Sequence, residues 1–219
     1  MPVALPIQQH PQFATALRQM GRDVRLINLP DAHPVVAVQI LGQLIASRGP
    51  IWAADASPTK RSHALARSGL RFLNAESNDH AALAAAGFRK LATAGTVAEL
   101  CLCSDASARL AATHGKWRNQ WRRAQQAPVT LRQERFDRAN HQWLLDADNA
   151  QQRQKRFRGL PHILIDALAT ENAANVHVAY LDATPVAAML FIMHPPVVTY
   201  HIGWTSPEGR RWGLHHRLI

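Results

Sequence analysis

Three apolar, β-branched runs follow one another near the end of the chain: Val176–Leu181, Val186–Met193 and Val197–Trp204. Only Asp182-Ala183-Thr184-Pro185 and His194-Pro195-Pro196 connect them, short enough for an antiparallel meander. After the third run come Ser206-Pro207-Glu208-Gly209-Arg210-Arg211-Trp212-Gly213-Leu214-His215, and the sequence ends at Ile219. A strand running into an Arg-x-x-Gly turn that opens a helix is a way to bind a pyrophosphate. The N–H groups at a helix N-terminus point at the anion, the helix dipole favours it, and glycine lets the backbone come close. Arg210 and Gly213 supply that pattern.

Upstream, helical and strand patterns alternate without internal repeats or low complexity. Helices are expected over Gln8–Met20, Ser57–Ser68 and His80–Ala86. Strands are expected over Val24–Leu29, Leu70–Leu73 and Ala94–Cys103, with Pro34–Ile45 a strand or strand pair, and Gly49-Pro50-Ile51-Trp52 a turn into another strand. Ser104–Gly115, rich in Ser, Ala and Asp, reads as a seam, dividing the chain into domains 1–107 and 108–219. Beyond it, helices are expected over Lys116–Gln126, Asp137–Gln154 and Ile163–Leu168, with a strand at Val129–Arg132. The order implies an α/β (α+β layered) fold around a mixed sheet.

The formal net charge is +10. Eleven Lys/Arg against four Asp/Glu between His114 and Arg158 put +7 of it in one stretch, which favours a polyanionic partner such as a nucleotide or RNA. No apolar run approaches the roughly 20 residues that span a bilayer, and the N-terminus has no basic region followed by an apolar core. A cytoplasmic home follows as the expectation. Cys101 and Cys103, one residue apart in an expected strand, would point to opposite faces, which makes them poor partners for a disulfide.

The second half resembles the GNAT acyltransferase fold, and more closely its FemAB-like branch, which carries two such modules in one chain. Three segments carry the resemblance: the basic helix Gly115-Lys-Trp-Arg-Asn-Gln-Trp-Arg-Arg-Ala124, the hairpin from Val176 to Leu190, and Thr199–Thr205 followed by Arg210–His215. The family pattern is Arg/Gln-x-x-Gly-x-Gly/Ala, and His215 stands where its last small residue belongs. The resemblance implies two modules of mixed, largely antiparallel sheet flanked by helices. It also implies that the second is incomplete, since a full module continues past the helix that would begin here. It implies acyl-CoA, acetyl-CoA foremost, as co-substrate and a small-molecule or peptide amine as acceptor. The backbone of Ile202, Gly203 and Trp204 would pair with the donor's pantetheine arm, and Arg210, Arg211, Trp212, Gly213, Leu214 and His215 would take its pyrophosphate.

Acyl transfer from a thioester needs a held donor, a polarised carbonyl and a deprotonated amine. Tyr200 and His201 alternate on the last strand, so one of them faces the cleft, and His201 has the intrinsic pKa of a base at neutral pH. A strand histidine satisfied by packing is the plainer reading. No metal site is expected, because adjacent His215 and His216 diverge on a helix and His10, His33, His63 and His80 are scattered. Trp117 and Trp121 read as the core stripe of an amphipathic helix. Beside them Lys116, Arg118, Arg122 and Arg123 could grip a phosphate backbone, and FemAB-like relatives that use aminoacyl-tRNA make tRNA the alternative donor. A non-catalytic remnant or nucleic-acid-binding module is the third reading, and an exposed sheet edge makes an oligomer conceivable.

Overall fold

The computed structural model describes residues 3–75, 79–93, 97–102 and 105–219. The chain divides into two compact units, Met1–Thr96 with His194–Val197, and Val97–Met193 with Val198–Ile219.

In the first unit, a 3-10 turn at Ile7–Gln9 precedes α1 (Pro11–Gln19). The single helix expected from Gln8 breaks at His10, which stays extended and caps α1 by accepting from the Gln12 N–H. Proline biases the residue before it away from the helical region. β1 (Val24–Ile27), β2 (Val35–Ile40) and β3 (Gln43–Ser47) pair antiparallel in sequence order. The Pro34–Ile45 run is thus a strand pair, turned at Leu41 and Gly42, whose φ values of 48° and 76° match the twist of a two-residue hairpin. α2 (Pro58–Ala66), capped by the Ser57 hydroxyl, carries the chain across to β4 (Leu70–Asn74), which joins β3 in parallel; α3 (His80–Ala85) follows. Leu29, Val35, Ala37, Ala46, Ala64 and Leu70 form one core cluster, and Ala14, Val24 and Val36 another.

Two expected strands are absent. Trp52 makes only an isolated bridge to Ala32. Residues 97–102 form no strand, and the remainder of that expected strand, 94–96 and 103, lies outside the described residues. Val97, Leu100 and Leu102 are all more than half exposed, so the alternating pattern has no neighbouring strand to pack on, and β-propensity without a neighbour decides little. Cys101 is disulfide-bonded. The opposite-face argument against a disulfide lapses with the strand it assumed.

His194, the first residue of the 194–197 segment that belongs to the first unit, is fully buried, its ring 5.6 Å from that of His10. Burial first, then the neighbouring His10, push its pKa down to about 4. A histidine whose pKa is depressed on folding is protonated more readily when unfolded. The unfolded state therefore gains protons, and stability falls, as pH drops from about 6.5 toward about 4. Thermal melts across that window should show a falling Tm, and a His194→Asn variant should flatten the slope.

The second unit opens with α4 (Ala106–Ala112), inside the stretch read as a seam, and α5 (Gly115–Gln125). Then come β5 (Thr130–Arg135), α6 (Arg138–Lys155), α7 (His162–Thr170), β6 (Ala174–Leu181), β7 (Thr184–His194), β8 (Val197–Thr205), α8 (Pro207–Trp212) and α9 (His215–Leu218). The sheet order is β5-β6-β7-β8, so the expected meander forms, with Val176 opposite Leu190 and Val178 opposite Ala188. Ala179, Ala187 and Met189 pack with Leu214 and Leu218 of the terminal segment. The alternate residues Val176, Val178, Ala188, Leu190 and Ile192 are also fully buried. The facing parts of β6 and β7 are therefore covered on both sides, which is why they read as continuous apolar runs, whereas in β8 only Ile202 is buried. Each such large side chain contributes about 1.5–3 kcal/mol on burial.

The end of the meander differs from expectation. The helix starts at Pro207, with Ser206 capping it by accepting from the Gly209 N–H at 3.0 Å. Ser-Pro, a cap followed by a ring that presets φ, is the stronger start signal. Arg210 therefore lies inside α8 and Gly213, at φ 71°, ends it in the left-handed conformation. Gly213 ends α8 and the expected helix follows it as the single turn α9, so the Arg-x-x-Gly segment lies between two short helices with its arginine inside the first.

Candidate active site

Asp137 caps α6 by accepting from the Asn140 N–H, and the helix then buries His141, Leu144, Leu145 and Asp148 on one stripe. Asp148 is thus a carboxylate in a core position, and a buried carboxylate must be met by donors. Two meet it. Gln152, one turn on, donates at 2.6 Å, and His162 Nε2 lies 2.8 Å away. Gln152 also accepts from the Gly159 N–H at 2.9 Å, which ties the loop between α6 and α7 to the helix and sets His162 at the first position of α7.

Across from this pair runs β8, the last strand of the sheet. His201 is half-buried. Burial lowers its pKa, with Asp148 acting to raise it and His162 to lower it further. The net effect keeps the imidazole neutral at neutral pH, the form that can accept a proton. Tyr200 is 45% exposed, and burial of its ring, reinforced by Asp148, raises its pKa so that it stays protonated. Its hydroxyl lies over Gly203, where a β-carbon would sit 1.6 Å from the oxygen, so this tyrosine position requires glycine three residues on. The ring also meets Phe191 and His215, each with centroids 5.9 Å away. Gln151 donates to the Gly203 carbonyl at 3.4 Å, and Trp143 packs edge-on against Trp204 at 5.2 Å. α6 thus backs β8 with Trp143, Asp148 and Gln151.

The residues expected to hold the donor divide into two groups. Ile202, Gly213 and Leu214 are buried, so only their backbone could meet a ligand. The N–H groups of Gly213, Leu214, His216 and Arg217 bond to the carbonyls of Arg210, Gly209, Gly213 and Leu214, so this backbone is committed to its own helical turns. Trp212 donates to Glu208 at 2.9 Å, and burial, with His216 adding, lowers the pKa of His215. The outward-facing cations are Arg210, which reaches the Thr205 carbonyl at 3.0 Å, and Arg211, whose side chain is 75% exposed.

On α5, Ala124 is buried, Trp117 and Trp121 are half-buried, and Trp117 meets the His216 ring at 5.5 Å. Lys116, Arg122 and Arg123 are exposed, whereas Arg118 bonds to the Ala111 and Thr113 carbonyls and closes the end of α4. Among the described residues no group of three or more His, Cys, Asp or Glu is placed to hold a metal ion, and no helix is long and apolar enough to cross a membrane.

Sequence reasoning missed Asp148, Gln151, Gln152 and His162. Asp148 carried a usable signal, because it continues the 3–4 spacing of Leu144 and Leu145 and so puts a charge on an apolar stripe. His162 carried none, since its partner lies fourteen residues back across a loop that no periodicity spans.

No protein-family model and no curated protein matches the sequence. Among solved structures, FemX is similar over 96% of this chain and 80% of its own, with a TM-score of 0.64 at 12% identity. The C-terminal domain of a putative lysylphosphatidylglycerol synthetase from Agrobacterium fabrum is similar over 96% of this chain and 68% of its own, with a TM-score of 0.54 at 16% identity. L-PGS from Bacillus licheniformis is similar over 99% of this chain and 73% of its own, with a TM-score of 0.51 at 14% identity. With its two four-stranded sheets flanked by helices, the chain has the GNAT-like fold that it shares with these three structures.

Proposed function

We propose that residues 108–219 form a GNAT-like module that transfers an acyl group from acyl-CoA to a primary amine at the edge of β8, with residues 1–107 as a second, companion module. The observation that carries this reading is the last strand of the sheet, β8, which bears Tyr200 and His201 and is backed by α6 through Gln151 and Trp143. His201, neutral at the working pH, takes the proton of the acceptor ammonium. The freed amine attacks the thioester carbonyl, the C–N bond forms, and the C–S bond breaks on collapse of the intermediate. Tyr200, kept protonated, gives its proton to the departing thiolate, and the second proton, shed by the nitrogen as the neutral amide forms, passes through solvent to restore the tyrosine hydroxyl. The edge of β8 from Ile202 to Trp204 offers backbone groups to the pantetheine amides, and the guanidinium groups of Arg210 and Arg211 meet the pyrophosphate. Since the backbone of α8 is committed internally, side-chain charge supplies most of that contact.

Isothermal titration of the full chain with CoA tests the donor. Binding is expected, and an Arg210→Ala, Arg211→Ala double variant should weaken it roughly tenfold or more, the value of about one charge-assisted hydrogen bond. No detectable heat up to millimolar CoA overturns the reading.

A second reading, aminoacyl-tRNA as donor, rests on the exposed Lys116, Arg122 and Arg123 of α5. It predicts tRNA binding that weakens steeply with salt as counterions are released. A mobility shift that is insensitive to salt, or no shift where CoA binds, contradicts it.

A further inference from the structure

Asp148 is a carboxylate only 7% exposed, and both of its donors fall on the same oxygen. Gln152 gives an amide N–H to Oδ2 at 2.6 Å, and His162 Nε2 lies 2.8 Å from that atom. Both donors are fixed there. The Gln152 carbonyl oxygen accepts from the Gly159 N–H at 2.9 Å, which decides the way its amide faces, and His162 is set by the start of α7. Among the described residues no group hydrogen-bonds to Oδ1, and that oxygen is not sealed from solvent. Lys155, the cation further along α6, is engaged with Gln151 at 3.1 Å. A carboxylate this deep is costly unless its oxygens are met by donors. Here the fold satisfies one oxygen twice and leaves the other open. The opening belongs to the side of α6 that backs β8. Asp148 and Gln151, three residues apart, are neighbours on one helix face; Gln151 donates to the Gly203 carbonyl at 3.4 Å, and Trp143 packs on Trp204 at 5.2 Å.

We propose that Oδ1 of Asp148 seats a primary ammonium group, the second amino group of a diamine acceptor. An ammonium is a compact point charge whose N–H makes a short, charge-assisted bond to a carboxylate oxygen, so one open oxygen suffices for it. A guanidinium is matched instead by two oxygens side by side, and Oδ2 is already taken. A carboxylate beside an amine favours its protonated form, whereas the amine that attacks a thioester must be neutral. The group held at Asp148 is therefore not the nucleophile. The nucleophile is the amine at the far end of the same molecule, carried toward β8 while the anchored end stays charged. The acceptor class that fits is a short-chain diamine.

The seat rests on the acyl-transfer reading for its purpose, but its test needs no turnover. The probe is N-(4-aminobutyl)acetamide, a diamine already acylated at one end that keeps one ammonium group at neutral pH. N-butylacetamide, which has no charge, is its match. Binding is followed by NMR in the full chain through the side-chain amide signal of Gln152, assigned by its loss in Gln152→Met. The ammonium probe should move that signal and bind roughly tenfold or more tightly than the neutral one, the worth of about one hydrogen bond to a charged group. Asp148→Asn keeps the shape of the site without its charge and should erase the difference. Equal responses to the two probes, or a Gln152 signal that the ammonium probe leaves unmoved, overturn the proposal, and the native chain decides this alone if Asp148→Asn does not fold. A preference retained in folded Asp148→Asn overturns it as well. An ammonium-selective response in a chain that binds no CoA upholds the seat and removes the acyl-CoA reading. CoA binding without that response removes the seat and leaves the reading.

Discussion

Replacing His201 with glutamine should lower acyl transfer by about 10²–10⁴-fold, the usual worth of a positioned general base, while leaving CoA affinity within about twofold. In the proposed reaction the two effects separate, because His201 would take the amine's proton while the strand edge, Arg210 and Arg211 would hold the donor. Glutamine approximates the size of the ring, so a half-buried site keeps its packing, and circular dichroism should show an unchanged fold. The residual rate should also lose its dependence on pH near neutrality. In the native chain, protonation of His201 at falling pH removes the base, so activity drops on the acid side. Burial and the charge of His162 depress the pKa of His201 while Asp148 raises it, so that loss begins below the ordinary histidine range. A His201→Gln enzyme with native rate and native pH profile would place the base elsewhere.

The second large effect is on folding. Gly209 lies in the first turn of α8 where a β-carbon would meet the Val186 carbonyl oxygen at 2.1 Å and the Thr205 methyl at 2.8 Å. Backbone oxygen cannot yield as a side chain does, so even alanine must push α8 away from β7. Overpacking of this kind costs about 1–3 kcal/mol, and the helix preference of alanine over glycine returns only about 1 kcal/mol. The expected result for Gly209→Ala is a net loss of up to about 2 kcal/mol by denaturant titration, and for Gly209→Val a larger one. Because Ser206 also donates its N–H to the Val186 carbonyl, the same shift would disturb the end of β8 and with it the approach to Trp204. Gly115→Ala is the control: its added carbon would meet nothing nearer than the Arg118 guanidinium at 3.9 Å, at the first position of α5, and should be neutral or mildly stabilising. Equal effects at both positions would contradict the packing argument.

These residues also show where a sequence speaks and where it does not. The meander was legible because connectors of a few residues leave antiparallel pairing as the simple solution, and the apolar runs of Val176–Leu181 and Val186–Met193 announced burial on both faces. The short α8 went unread because Arg210-x-x-Gly213 drew attention from Ser206-Pro207, a cap and a ring-fixed first residue, whereas the helix expected after Gly213 is present as α9. Gly213, read as the residue that lets the backbone approach an anion, takes a left-handed φ that ends α8 just before α9. The strand expected over 94–103 fails across the described residues because its alternating pattern had no partner, and pairing is a long-range property. Tyr200 and His201 could be singled out from their place on the last strand. What surrounds them could not, because Asp148, His162 and Gln151 reach β8 from two helices whose packing angle no local pattern encodes.

If the acyl donor lies along the edge of β8, as proposed, CoA should leave its mark on that strand. Hydrogen–deuterium exchange of the full chain with and without saturating CoA should show slowed exchange confined to residues 200–205 and to α8, with β1 to β4 unchanged. CoA bound with no protection on β8, or with protection confined to the first unit, would contradict that placement.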